Sequence, residues 1–484
     1  MELTPNKHIH FVGIGGVGMS AIAQVLLEKG LRVTGSDKHE NIYTIRLAAL
    51  GAKIFVGHQA QYVRGAEALV YSSAIRPENP EFKYAKKNQI PIIPRARMLG
   101  YLLSEAQRSI AVTGTHGKTT TSAMVTMLLR AAGHRPTFMV GGELNELGTN
   151  AALGDTHFAV AEADESDGSF LELKPHIEII TNMEMEHCDF YPTMDDVYRG
   201  YAKFVECLSV DGRLVLQGDH PNAQTFLKRL GDRAIETFGF DPECCDLWAD
   251  QITYPRGKTR FCAHQAGRCL GEVELQVIGR HNVLNALAAM QVVMREGVPF
   301  DVAAAALGQF TGTKRRFQFI GQMGNIAIYD DYAHHPTEVA TTLEAAKNSL
   351  QRRVICVFQP HRFSRVQALR EQFRHCFDIA DEVIVTAVYS AGEDPIDGVN
   401  GELLAETVRE SGKSVHFINR KNLIPDYLLS QVLKAGDVLL VMGAGDIHTV
   451  AKETLHRLKK QNKISGVAAQ AILPPAVFPA PVAV

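Results

Sequence analysis

Along this chain, runs of four or five apolar residues recur, each followed by a short polar or glycine-containing turn and then by apolar positions at helical spacing. Strands separated by helices in this way pair in parallel beneath those helices, so the pattern predicts an α/β fold. It occurs in three stretches. The first, residues 1–107, predicts strands at 9–12, 32–34, 52–56, 68–71 and 91–93, with a helix over 19–29 closed by Gly30. The second, 108–313, predicts strands at 109–113, 157–160, 177–181 and 213–216, a helix ending near Gly133, and another over 281–296 closed by Gly297. Within it, residues 247–278 alternate with period two between turn residues, which predicts antiparallel strands. The third, 314–462, predicts strands at 327–329, 354–358, 382–386, 415–418 and 438–441. Residues 463–484, rich in Ala, Pro and Val, read as a flexible tail.

Composition narrows the class. A chain of 484 residues, 46% hydrophobic and 21% charged, is an ordinary globular length for about three domains. A net charge of -3 creates no field that recruits nucleic acid or an acidic membrane. No apolar run approaches the roughly 18 residues of a membrane span, and residues 1–10 lack the apolar core of a signal peptide. The eight cysteines include no CxxC pair, which points to reduced thiols in a cytoplasm rather than to zinc or disulfides.

The strongest chemical signal is TGTHGKTT at 113–120, where a strand enters a glycine-containing turn at a helix start. Free N–H groups and the helix dipole there favour an anion, Lys118 reaches outer phosphates, and the Thr119 hydroxyl suits Mg²⁺. Val112 stands where the common phosphate-loop pattern has its first glycine, so the match is the shorter GxxGKT. A tight turn with a solvated lysine is the plain alternative. The acidic segment 160–167 follows the next strand, and Glu162 is its best-placed Mg²⁺ ligand; a solvated loop is the alternative. His187, in EMEH at 184–187, follows the strand at 177–181 and reads as a ligand at the same sheet edge, against a purely structural histidine.

GIGGVG at 13–18 satisfies GxGxxG between strand and helix, with Asp37 about 20 residues on, placed for a ribose hydroxyl. NAD is one reading. The loop itself recognises a pyrophosphate, which a UDP-sugar also presents. In the third stretch, DDYAHHP at 330–336 and QPHRFSR at 359–365 follow strands, and Arg362 and Arg365 suit a carboxylate or phosphate. One of His334 and His335 reads as only a cap or a packing residue before Pro336. His281 and Asn285 open a helix and suit a purine or a cap alike.

Taken together, TGTHGKTT, AEADESDG at 161–168, HNVLN at 281–285, DYAHHPTE at 331–338 and QPHR at 359–362 resemble the Mur ligases, in the family's order and over roughly residues 7–460. The resemblance implies an N-terminal Rossmann-like domain for a UDP-sugar, a central P-loop ATPase-like domain with a mostly parallel sheet, and a C-terminal Rossmann-like α/β domain for an amino acid. GIGGVGMS at 13–20 and DYAHHPTE look like the branch that adds L-alanine to the lactyl carboxylate of UDP-N-acetylmuramate through an acyl phosphate, in bacterial cell-wall synthesis.

By the same resemblance, Gly13, Gly15, Gly16, Gly18, Asp37 and Ser72 would hold the UDP-sugar. Gly114, Thr115, His116, Gly117, Lys118, Thr119, Thr120, His281 and Asn285 would hold ATP, and Thr119, Glu162 and His187 the metal, Mg²⁺ or Mn²⁺. Tyr332, His334, Arg362 and Arg365 would hold the amino acid, and Lys118, Glu162, His187, His334 and Arg362 would carry the chemistry, with His334 or bulk water taking the amine's proton. Sister ligases carry a carbamylated lysine; Lys203 is the position one helix beyond His187 and stays outside the set. The implied protein is a monomer or homodimer without nucleic-acid or membrane partners. Alternatives are a ligase that recycles murein tripeptide onto the same UDP-sugar, an NAD-dependent oxidoreductase with an ATPase domain, and a nucleotide-regulated binding protein.

Overall fold

The structure is a computed structural model that describes residues 3–231 and 233–465. The last helix, His448–Ser465, runs past the boundary expected at 462, and the rest of the expected tail, from 466, lies outside the described residues. Among the described residues, no helix is long and apolar enough to cross a membrane.

Three sheets follow the three stretches. In the first, strands β1 (His8–Val12), β2 (Arg32–Asp37), β3 (Lys53–Val56), β4 (Ala68–Tyr71) and β5 (Ile92–Pro94) pair in parallel in the order β3-β2-β1-β4-β5. Because β1 lies between β2 and β4, the chain leaves it at a point where the winding reverses, and ligands bind outside strand ends at such a point.

The second sheet contains β6 (Arg108–Thr113), β7 (Thr137–Leu144), β8 (Thr149–Ala152), β9 (Phe158–Glu162), β10 (Ile177–Ile180), β11 (Arg213–Gln217), β12 (Ile235–Gly239), β13 (Leu247–Thr253), β14 (Thr259–Gln265) and β15 (Arg268–Leu275). Their order is β15-β14-β13-β12-β11-β10-β6-β9-β7-β8. The middle is parallel, and β13 to β15 are antiparallel as their alternation predicts. The β7–β8 hairpin was not expected; its sequence, with glycines at 141, 142 and 148, has neither an unbroken apolar run nor a clean alternation. The reversal point is β6, between β9 and β10.

The third sheet, β16 (Gln318–Met323), β17 (Ile326–Asp331), β18 (Val354–Phe358), β19 (Glu382–Val385), β20 (Val415–Phe417) and β21 (Val438–Met442), runs β16-β17-β21-β18-β19-β20. Only the edge strand β16, also unexpected, is antiparallel.

Packing joins these domains unequally. One apolar cluster runs from Ile9, Phe11 and Ile22 of the first domain to Phe170, Tyr201 and Phe204 of the second. The helix Val17–Glu28 lies on the β8 edge, where Gln24 Nε2 donates to Ala151 O at 2.8 Å. The third domain builds separate clusters on the two faces of its own sheet. Transfer of apolar surface therefore fuses the first two domains, while the third is held mainly through polar contacts.

A Cβ at Gly154, just past β8, would overlap the backbone oxygen of Arg135, which cannot rotate away. Gly154→Ala should destabilise the chain by about 1–3 kcal/mol, the scale of overpacking, seen as a lowered melting temperature. An unchanged melt would refute the account of this hairpin.

Candidate functional site

The segment after β6 is shaped by its neighbours. Gly114 has φ +129 and Gly117 φ +83, backbone that favours glycine. A side chain at Gly114 would meet Thr181 Oγ1, and one at Gly117 would meet Asn285 Oδ1. Thr181 donates to the carbonyls of Thr113 and His116, and Asn182 Oδ1 accepts from His116 N at 2.9 Å. The end of β10 thus holds the loop open at the start of the helix Lys118–Ala131, which has no side-chain cap. Its first N–H groups stay available to an anion.

Lys118 Nζ donates to Gly114 O at 2.6 Å and to Glu165 Oε1 at 2.8 Å. Burial alone would lower the lysine's pKa, but Glu165, Asp164 and Glu162 raise it, so the ammonium stays charged. Burial pushes Glu165 up to about 7 against the pull of Lys118.

Beside the loop, Thr119 Oγ1 donates to Glu162 Oε2 at 2.8 Å, and Gly141 N donates to the same oxygen at 2.8 Å. A hydroxyl and a carboxylate at a phosphate-binding turn are hard oxygen donors that fit Mg²⁺. His187, at φ +51, brings Nε2 to 3.7 Å from Glu165 Oε1 and has a buried Nδ1 without a hydrogen-bond partner. Burial lowers it to about 4, leaving the neutral ring that metal ligation requires. Lys203 is exposed on the helix Met194–Val205.

The third domain meets this edge through ionic pairs. His116 Nδ1 is 3.2 Å from Glu338 Oε1, and its Nε2 is 3.6 Å from Glu184 Oε2. Burial would lower His116, but Glu338 and Glu184 together raise it to about 9, so it is an imidazolium at neutral pH. His116, Glu184 and His335 also have the spacing of a cation site. Both ring nitrogens of His335 are already engaged, however, by Thr337 N and Met185 O, and the cation in that cluster is His116 itself. His335 is thus the cap of the helix Pro336–Leu350, one of the two roles left open for the pair. Arg365 grips Glu186 through Nε and Nη2, both at 3.0 Å, and Arg362 joins Glu393 at 2.6 Å and Asp189 at 3.0 Å.

Between the second and third domains lies a cleft of about 1030 Å³, lined by His116, Gly117, His281, Asn285, Arg316, Asp331 and Glu338 among others. His281 is lowered to about 4 by burial and then by Arg316. Asn285 turns inward: its oxygen accepts from Thr121 and its nitrogen donates to Asn282, so it supports the loop. His334 Nδ1 lies 3.0 Å from Tyr332 O, and Tyr332 stacks beside Arg315 and Arg316. Burial lowers His334 to about 3, which makes it a poor proton acceptor, so its surroundings favour positioning over base chemistry.

Arg316 and Asp331 were not assigned from sequence. Asp331 accepts from Phe317 N and Ala333 N and is pushed up to about 6 by burial. Glu338, Glu165 and Glu184 lie in quoted motifs but became distinct only once their partners were placed. A doubled arginine ahead of a strand was the available sign for Arg316.

The glycine turn after β1 lies apart, at the reversal point of the first sheet. Asp37 Oδ2 accepts from Gly15 N at 2.8 Å, and Asn41 Nδ2 donates to Gly15 O at 3.1 Å. A Cβ at Gly13 would lie 3.3 Å from Ser72 Cβ, so Ser72 flanks the turn. Gly16 caps the helix Val17–Glu28 without a side chain, and a Cβ at Gly18 would lie 2.9 Å from Arg95 Nη1. Arg95 also reaches Asp164 at 3.4 Å, beside the Lys118 loop.

Three family domains match this chain: "Mur ligase family, catalytic domain" at 8–107, "Mur ligase middle domain" at 112–293, and "Mur ligase, glutamate ligase domain" at 315–445. A UDP-N-acetylmuramate–L-alanine ligase of Geotalea uraniireducens (strain Rf4) is 43% identical over 454 residues, 94% of this chain and 98% of that one. The enzyme of the same name from Anaeromyxobacter sp. (strain Fw109-5) is 44% identical over 93% and 98%. The crystal structure of UDP-N-acetylmuramate-alanine ligase from Thermotoga maritima superposes with a TM-score of 0.80 at 31% identity, covering 94% and 99%. A murein peptide ligase from Psychrobacter arcticus 273-4 shares the fold, with a TM-score of 0.69 at 23% identity over 93% and 98%.

His116 ties a pH dependence to the contact between the second and third domains. Its pKa rises from 6.5 to about 9, so its contribution is fully present below about 6.5 and is lost as pH rises through about 9. Thermal stability measured from pH 7 to 10 should fall, and His116→Gln should flatten that fall. An equal slope in the variant would remove His116 from the contact.

Proposed function

The chain belongs to the Mur ligase family, and from that premise we propose that it is the ATP-dependent ligase that joins L-alanine to the lactyl carboxylate of UDP-N-acetylmuramate in peptidoglycan synthesis. The observation that carries this reading is the convergence of Lys118, Thr119 and Glu162 at one strand edge, next to His116, Gly117 and Thr120, which line the cleft between the second and third domains. The proposed substrates, ATP and a UDP-sugar, support a cytoplasmic reaction.

In the proposed mechanism, the amides at the start of the helix Lys118–Ala131 and the Lys118 ammonium take the outer phosphates, displacing Glu165 from the lysine. Thr119 and Glu162 would hold Mg²⁺, and His187 would help hold a second ion. Bound there, the ion would neutralise part of the charge on ATP's tail. The lactyl carboxylate attacks the γ-phosphorus, the bond to ADP breaks, and an acyl phosphate forms. The neutral amine of L-alanine then attacks the acyl carbon, phosphate leaves, and the nitrogen gives up a proton.

Two like-charged reactants must meet, so charge compensation at Lys118 and along the loop is worth most in the transition state. Arg362 and Arg365, at the end of β18, are the cations for the amino acid's carboxylate or the transferred phosphoryl group, exchanging Asp189 and Glu186 for it. Tyr332 and His334 line the same side. The third domain closes to exclude water, which would hydrolyse the acyl phosphate.

Phosphate release from ATP should require both UDP-N-acetylmuramate and L-alanine, with murein tripeptide a poor replacement for alanine. Lys118→Ala should lower turnover about a hundredfold or more while the chain stays folded. Release without the UDP-sugar, a preference for the tripeptide, or near-normal turnover in the variant would each overturn the reading.

A further inference from the structure

Strand β7 reaches all three domains. Its Gly141 N–H fixes Glu162, as described above. Two residues on, Glu143 is only 8% exposed, and its two oxygens are taken by cations from different domains. Oε2 is 3.1 Å from Arg46 Nη2, on the helix Ile42–Ala49 of the first domain. Oε1 is 2.7 Å from Lys314 Nζ, where the chain enters the third domain, and Lys314 N donates to Glu143 O at 3.1 Å. The helix that carries Arg46 is capped by Asn41, the same side chain that donates to Gly15 in the glycine turn. A path therefore runs from the glycine turn to Asn41, along the helix it caps to Arg46, and across to Glu143, then to Lys314 on one side and along β7 to Glu162 on the other.

An exposed ion pair contributes little, but each oxygen of this buried carboxylate has its own cation, so losing either one leaves a buried oxygen without its partner. We propose that Glu143 is a positioning residue that couples the seating of the sugar nucleotide to closure of the third domain over the ATP loop. This rests on the ligase reading and deepens it. When the first domain takes up its ligand, Asn41 and Arg46 are held in place, Glu143 is fixed between its two cations, and Lys314 draws the third domain's entry segment toward the site.

The test compares the wild-type chain with Glu143→Gln, Glu143→Asp, Arg46→Met and the Arg46→Met/Glu143→Gln double variant. Glu143→Gln should lower kcat/KM for UDP-N-acetylmuramate about tenfold or more, while the Kd for ATP without the sugar nucleotide changes less than about twofold. Glu143→Asp, which keeps the charge, should recover part of the loss, and the two single losses should not add. X-ray scattering of the wild-type chain with ATP and UDP-N-acetylmuramate should give a smaller radius of gyration than the same mixture with Glu143→Gln. Unchanged kcat/KM in Glu143→Gln, additive losses, or a fall in ATP affinity that tracks a lowered melting temperature would overturn the proposal. Absence of sugar-dependent phosphate release in the wild-type chain would instead sink the ligase reading, and the scattering comparison with both nucleotides bound would still decide whether Glu143 controls closure.

Discussion

A buried ammonium needs counter-charge, and that requirement organises the central domain. Lys118 lies at the end of β6 with Glu165 at 2.8 Å and with Asp164 and Glu162 also acting on it. These carboxylates come from the end of β9, and the residues that hold the loop come from the end of β10, because the sheet order sets those strands on either side of β6. Glu165 is 3% exposed and poised to take up a proton near neutrality, so it is a weak placeholder for the lysine. A nucleotide's phosphates, with several negative charges and fixed amides to receive them, are a stronger partner. The free form thus keeps the lysine oriented without opposing the ligand.

The domain contacts differ for a related reason. The first two domains share a continuous apolar cluster, which makes them one mechanical unit. The third meets them through Arg365–Glu186, Arg362–Asp189, Thr337–Glu184 and His116–Glu338. An exposed pair such as Arg362–Asp189 can be exchanged for water at small net cost, and a buried one such as Arg365–Glu186 for ligand charge that replaces its partner, whereas apolar contacts allow neither. Relative motion is therefore expected at the third domain, and every cation in that interface is one that an anionic substrate can claim on entry.

Much of this was legible in the sequence because parallel strands buried on both faces read as unbroken apolar runs. That is why β1, β4, β6, β10, β18 and β21 stand out, and why the polar motifs after them could be assigned to strand ends. The β7–β8 hairpin escaped because its glycines interrupt both periods, yet those same glycines are what let it approach Glu162 and Thr119. Pairings between distant residues were also out of reach. Glu143 is an unremarkable acid in sequence, and its meaning comes from Arg46 and Lys314, 97 and 171 positions away. His281 and Asn285 showed the opposite limit: their spacing marked a helix start, but only packing revealed that Asn285 faces inward toward Gly117 and Thr121.

The two glycine turns are best understood through the charges between them. The first-domain turn offers the uncapped start of the helix Val17–Glu28 and the guanidinium of Arg95, both suited to a pyrophosphate. Asp37 already accepts from Gly15 N and Lys38 N, so it shapes the turn as well as flanking it. Arg95 simultaneously reaches Asp164, whose charge also acts on Lys118. The two anion sites are therefore separated by an alternating row of Arg95, Asp164 and Lys118. On the ligase reading, this is the arrangement two negatively charged substrates require: each is met by a cation, and the carboxylate between those cations keeps them from repelling one another until the ligands arrive. An oxidoreductase would have no need for a second phosphate loop at the end of that row.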